Sequence, residues 1–144
     1  MRRALETCAL AGFGARAAAD DDLREWDYGD DEGRTTEEIR RDRPGWTLWA
    51  DGVPGGETIE QVAARADRVL SRARAAAGGA DGASDVLVFA HGHLLRVLAA
   101  RWLGAEPAFG AHLVLGPAAP SVLGWERDTP ALLRWNDGGS GPIP

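Results

Sequence analysis

The apolar run Val-Leu-Val-Phe-Ala at residues 86–90 constrains this chain more than any other feature. It is short, partly β-branched and apolar at successive positions. That pattern suits a strand covered on both faces within a parallel sheet, not a strand with one wet face. A parallel strand needs a parallel neighbour, reached by a crossover connection. The run breaks at His91-Gly92-His93. Leu94, Leu95, Val97, Leu98 and Trp102 then recur at helical spacing, and Gly104 closes the helix predicted over 93–103. In open α/β sheets, ligands bind at the carboxyl ends of strands. The helix that follows aims unpaired amides and its positive dipole end at the same place, which favours an anion.

The rest of the chain supplies helices and loops. Residues 1–11 read as a helix with Met1, Leu5, Cys8 and Ala9 on one face, ended by Gly12. "LREWDYGDDEGRT" is a Gly- and Asp-rich loop. Thr35 with Glu38 fits a capping box for a short helix that stops before Pro44, and Thr58 with Gln61 fits another. After Thr58, residues Ile59, Val62, Ala63, Ala66, Val69, Leu70 and Ala73 mark a helix that ends at Gly78-Gly79. "GGADGAS" reads as a surface turn. "SVLGWE" and "ALLRWN" flank "RDTP" as a hairpin. The order of elements is that of one α/β domain over residues 1–137, with a flexible tail at 138–144. Only one clear parallel strand is present, and nothing before it supplies a convincing neighbour.

Composition narrows the chemistry. All 16 basic residues are arginine, which excludes a lysine-dependent phosphate loop and Schiff-base catalysis. The net charge of −6 resides in residues 20–43, where eleven acids face five arginines. An acidic chain without a basic patch argues against nucleic-acid binding. No apolar run is long enough to span a bilayer, and the expected address is cytoplasmic. The single Cys8 offers no disulfide or metal framework. His91 and His93 are a poor start for a zinc site, which wants four ligands. No metal or other cofactor is expected.

Four motifs in order give the chain a family likeness: "MRRALETCALAG", "LREWDYGDDEGRT", "PGGET" with Arg65 on the helix that follows, and "VLVFAHGHLLRVLAARWLG". Together they resemble the histidine phosphatase superfamily, the phosphoglycerate-mutase-like fold, from Met1 to about Asn136. The resemblance implies a three-layer α/β/α sandwich. It also implies phosphomonoester hydrolysis through a phosphohistidine, without a metal. A histidine attacks phosphorus, arginines and a second histidine hold the phosphate oxygens, and an acid protonates the leaving oxygen. Arg3 matches the phosphate-binding arginine of the family's Ser-x-x-x-Arg-Ala-x-x-Thr motif, with Ala4 and Thr7 keeping its tail. Glu25 matches the proton donor. His91 matches the phosphate-clamping histidine, with Gly92 beside it. His93 has no counterpart. Glu57 and Arg65 fall in a stretch whose role is structural. The implied partner is a small phosphorylated metabolite or a phosphoprotein; oligomeric state is not legible.

One departure matters. The family's first motif, a strand ending in Arg-His-Gly, carries the nucleophile, and no Arg-His-Gly occurs among these 144 residues. The chain therefore reads as a domain lacking its first strands, inactive by itself. A non-catalytic phosphate-binding fragment and mutase-type phosphoryl transfer are the alternatives. "DRPGWTLWADGVPGGE" is expected to shape the pocket, with Trp46 and Trp49 either as its wall or packed beneath the loop. The frame upstream of the Met1 codon is expected to encode an apolar strand, Arg-His-Gly and about 50 further residues of helix and strand. Sequencing that DNA tests this, and a stop codon close upstream would sink it.

Overall fold

A computed structural model describes residues 2–78 and 84–138 of the chain. Five α-helices and one hairpin organise them: α1 (Arg2–Leu10), α2 (Thr36–Asp42), α3 (Leu48–Asp51), α4 (Ile59–Ala77), α5 (Gly92–Trp102), β1 (Val122–Glu126) and β2 (Thr129–Arg134). Short 3-10 turns at Gly14–Arg16, Asp21–Leu23, Gly29–Asp31 and Pro107–His112 join them. Met1, Gly79, most of the expected surface turn and most of the expected tail lie outside the described residues.

The core is built by α4 and α5. Val62, Ala66, Val69 and Leu70 of α4 join Leu94, Val97, Leu98 and Trp102 of α5 in one buried cluster, which Trp26, Ile39, Trp46 and Leu48 complete from the loops and short helices. Both capping boxes form. Thr35 and Thr58 each accept an amide at the third helical position, while Glu38 and Gln61 reach back to the cap amides. Gly78 ends α4 in the left-handed conformation. The hairpin is antiparallel, with an irregularity between Val122 and Leu123. Trp102 anchors it, since its indole N–H reaches the Gly124 carbonyl at 3.1 Å and the Ala131 carbonyl at 3.2 Å. Trp125 packs edge-on against that ring at 4.7 Å.

Three expectations are corrected. Residues 86–90 form no strand ladder; β1 and β2 make the only sheet among the described residues. Val86 and Leu87 are 41% and 58% exposed, so the run is not covered on both faces. The reason is the one its composition raised: strand hydrogen bonds need a neighbour, and no described residue supplies one. In α1 the buried positions are Ala4 and Cys8, whereas Leu5 is 43% exposed. Leu95 of α5, expected inward, is only half-buried.

Two loops meet backbone to backbone beside this core. The Asp30 amide donates to the Pro54 carbonyl at 2.9 Å, and the Glu57 amide to the Asp27 carbonyl at 3.0 Å. Contact this close needs glycine on both sides. A Cβ on Gly29, whose φ is +51°, would lie 2.2 Å from the Gly56 amide nitrogen; one on Gly56 would lie 2.3 Å from the Asp27 carbonyl oxygen. Gly29→Ala is therefore expected to cost about 2–3 kcal/mol, combining overpacking with a left-handed backbone. Urea denaturation of the variant against the parent chain measures it.

Candidate active site at the start of helix α5

His91 is the extended residue (φ −120°, ψ 160°) that precedes the first turn of α5. Its Nε2 is the one buried side-chain nitrogen or oxygen among the described residues without a hydrogen-bond partner. Burial pushes its pKa below the ordinary imidazole range; Glu25 opposes that shift, and Arg3 adds to it. Arg3 projects from exposed α1, and its charge is felt at both His91 and Tyr28. Gly92 faces open space, since a Cβ there would meet nothing within 4 Å.

Glu25 takes a position the sequence did not suggest. Its Oε1 accepts the amides of Trp26 at 3.0 Å and Leu94 at 3.1 Å, and its Oε2 accepts the amide of His93 at 3.4 Å. A carboxylate from a distant loop thus caps α5, using the orphan amides and dipole of a helix start. The expectation that these amides face an incoming anion is corrected accordingly: the His93 and Leu94 amides are engaged by Glu25.

His93 is part of the wall. Its Nδ1 lies 2.7 Å from the Tyr28 hydroxyl, and its ring packs against Tyr28 at 5.9 Å and Trp49 at 5.6 Å. Burial lowers the His93 pKa and raises that of Tyr28. Trp49 in turn meets Trp26 edge-on at 5.8 Å and carries the Arg96 guanidinium over its face at 4.7 Å. Of the two tryptophans in the predicted pocket loop, Trp46 is packed beneath it, with its indole N–H on the Gly52 carbonyl. Trp49 is the half-buried one beside His93.

The Glu25 loop is held from below by Arg65, which is 4% exposed. Its Nε and Nη2 grip the two Glu57 carboxylate oxygens at 2.8 and 2.7 Å, and Nη1 donates to the carbonyls of Asp22 at 2.7 Å and Arg24 at 3.1 Å. Burial works against the charge on Glu57, but Arg65 and the Asp27 amide hold its pKa below the usual carboxylate range. The same loop is tied outside by Asp22, brought down to about 2 chiefly by its hydrogen bond to Arg68, with Arg72 assisting. His112 lies elsewhere, on the turn with Phe109. Tyr28, which contacts His93, was not singled out in the sequence.

The profile of the histidine phosphatase superfamily (branch 1) matches residues 1–138. The chain belongs to that superfamily. Among its relatives, this histidine phosphatase chain is 37% identical over 126 residues to an acid phosphatase of Mycobacterium tuberculosis, an alignment covering 88% of this chain and 60% of that protein. It is 45% identical over 101 residues to sedoheptulose 1,7-bisphosphatase of Saccharomyces cerevisiae, covering 62% of this chain and 37% of that protein. The fold of an open reading frame of Mycobacterium tuberculosis matches with a TM-score of 0.84 and 35% identity over 96% of this chain and 69% of that one. A mycobacterial glucosyl-3-phosphoglycerate phosphatase matches with a TM-score of 0.71 and 30% identity over 89% of this chain and 70% of that one. The fold is therefore the α/β phosphoglycerate-mutase-like one, and the histidine phosphatase chain spans at most about 60% of these two curated relatives. No helix among the described residues is long and apolar enough to cross a membrane. No three metal-ligating side chains converge among them.

Two outcomes are expected of the histidine phosphatase chain. Arg65→Met leaves the Glu57 carboxylate without its buried partner and should cost about 3–5 kcal/mol in chemical denaturation. Lowering the pH from about 7 to about 5 should reduce the melting temperature. His91 and His93 titrate lower when folded, so the unfolded chain binds more protons in this window and gains stability relative to the native state. His93→Gln should flatten that slope, read from melts at a series of pH values.

Proposed function

We propose that this chain carries the phosphate-clamping and proton-donating part of a phosphomonoester hydrolase that works through a phosphohistidine. One observation carries the reading: the buried Nε2 of His91 lacks a protein partner, at a helix start flanked by Glu25 and Arg3. A buried polar atom without a partner is costly to keep, and a phosphate oxygen held by Arg3 would supply that partner. Arg3 then adds a guanidinium to the phosphate oxygens, and the open space at Gly92 leaves room for them.

In the parent reaction, an imidazole nitrogen forms a bond to phosphorus as the ester P–O bond breaks. Glu25 delivers a proton to the departing oxygen. Water then cleaves the P–N bond and releases inorganic phosphate. The attacking histidine belongs to an Arg-His-Gly motif that these 144 residues do not contain. Turnover needs that segment, so the chain by itself binds phosphate and does not hydrolyse esters. The parent architecture in this reading is the three-layer sandwich, with the missing strands beside residues 86–90, and its address is the cytoplasm. The names of the bisphosphatase and the glucosyl-3-phosphoglycerate phosphatase favour a small phosphorylated metabolite over a phosphoprotein. The acid-rich segment at 20–43 disfavours highly anionic substrates and, with them, mutase-type transfer through a bisphosphate.

Phosphate titrated into the chain is expected to shift the His91 ring resonances, with binding about tenfold weaker in His91→Ala or Arg3→Ala, equivalent to about 1.4 kcal/mol. The same chain should leave p-nitrophenyl phosphate intact. Turnover that disappears in His91→Ala would show that no further segment is needed and would overturn the division of labour proposed.

A further inference from the structure

His93 meets the loop that carries Glu25 at two of its own atoms. Its backbone amide donates to Glu25 Oε2 at 3.4 Å, and its ring nitrogen Nδ1 lies 2.7 Å from the Tyr28 hydroxyl. Glu25 and Tyr28 are the two ends of one short segment, Glu25-Trp26-Asp27-Tyr28, so one residue of α5 holds both ends. The carboxylate contacts alone are a modest hold. The His93 amide bond is long, the Leu94 amide bond is ordinary at 3.1 Å, and Glu25 is only half-buried, so water can compete for both amides. The ring contact is short and lies against Trp49, whose ring centroid is 5.6 Å from that of His93.

The surroundings decide where the protons of this pair sit. Burial, with the Glu25 charge nearby, keeps the Tyr28 hydroxyl protonated well above the ordinary phenol range. Burial also holds the His93 ring neutral; Arg96 assists and Glu25 opposes. Among the described residues the hydroxyl has no other acceptor, so its proton points to Nδ1 and the ring proton sits on Nε2. Arg65 and Glu57 brace the same loop against α4. Among the described residues, the hydrogen bonds that tie it to α5 are those of the Glu25 carboxylate and the Tyr28 hydroxyl.

We propose that Tyr28 and His93 are positioning residues for Glu25: the Tyr28 hydroxyl, donating to His93 Nδ1, fastens the loop to the first turn of α5 and keeps the carboxylate on the Leu94 amide. The role of that carboxylate as proton donor rests on the proposed function; its place does not.

Nuclear magnetic resonance of the 144-residue chain, without phosphate, tests the coupling. The Leu94 amide proton is the reporter, because it stands at the third helical position, where no intrahelical carbonyl is available. Glu25→Ala gives its resonance without the carboxylate, expected upfield of the parent. Tyr28→Phe removes one oxygen and keeps the ring, and should move the resonance about half of that distance or more. His93→Leu should do the same, and the double variant should add little to either. His93→Asn, which restores an acceptor near Nδ1, should stay close to the parent. A folded Tyr28→Phe with the Leu94 resonance unmoved overturns the proposal, as does full additivity in the double variant. The ring nitrogens of the parent chain give a check that needs no variant to fold: a protonated Nδ1 with a bare Nε2 also overturns it. Failure to bind phosphate would end the functional reading and leave this coupling standing, whereas an unmoved Leu94 resonance would do the reverse.

Discussion

The buried pair of Arg65 and Glu57 is the constraint on which the site depends. Arg65 is the only buried arginine among the described residues, and it is saturated: a bidentate carboxylate on one side, loop carbonyls on the other. A guanidinium in a dry setting tolerates few arrangements, because every donor left over would add to the cost of its desolvation. That intolerance fixes the loop from Asp22 to Glu25 against α4. Once the loop is fixed, the Glu25 carboxylate falls on the first amides of α5. The ion pair sets where the Glu25 carboxylate stands relative to His91.

Much of this was legible in the sequence where local rules decide. The two capping boxes, the α4 and α5 stripes and the closing hairpin each follow from residues within one element, and each forms. Glu57 and Arg65 were read as structural, and the structure pairs them in contacts that brace the loop. What failed was the strand at 86–90. Its residues are strand-like, but a strand is a property of two segments, and the partner segment is not among those described. The α1 face was misread for a related reason. Leu5 looks like a core residue by type, but its exposure depends on what lies above the helix.

The site was half legible. The family resemblance singled out Arg3, Glu25 and His91 as candidates, and the charges of Glu25 and Arg3 act in opposite directions on the His91 imidazole. The resemblance could not reveal that Glu25 caps α5, because the cap joins residues 69 positions apart. Nor could it pair His93 with Tyr28, 65 positions away. Contacts of that kind are decided by how loops cross the start of a helix, and no periodicity records them. The all-arginine basic set has a similar lesson. At residue 65 the forked geometry is used in full: its donors meet two carboxylate oxygens and two loop carbonyls, more contacts than the three donors of a lysine ammonium could make.

The glycine contact between the two loops has a mechanical consequence. Gly29 and Gly56 lie backbone against backbone, with no side chain between to act as a cushion. The Glu25 loop and the segment leading into α4 therefore move as one piece, because sliding either would break the amide bonds that cross between them. A movement confined to the Glu25 loop would break the amide bonds that join it to the segment before α4. The Glu25 carboxylate is therefore set in place by the same contacts that fix the segment before α4.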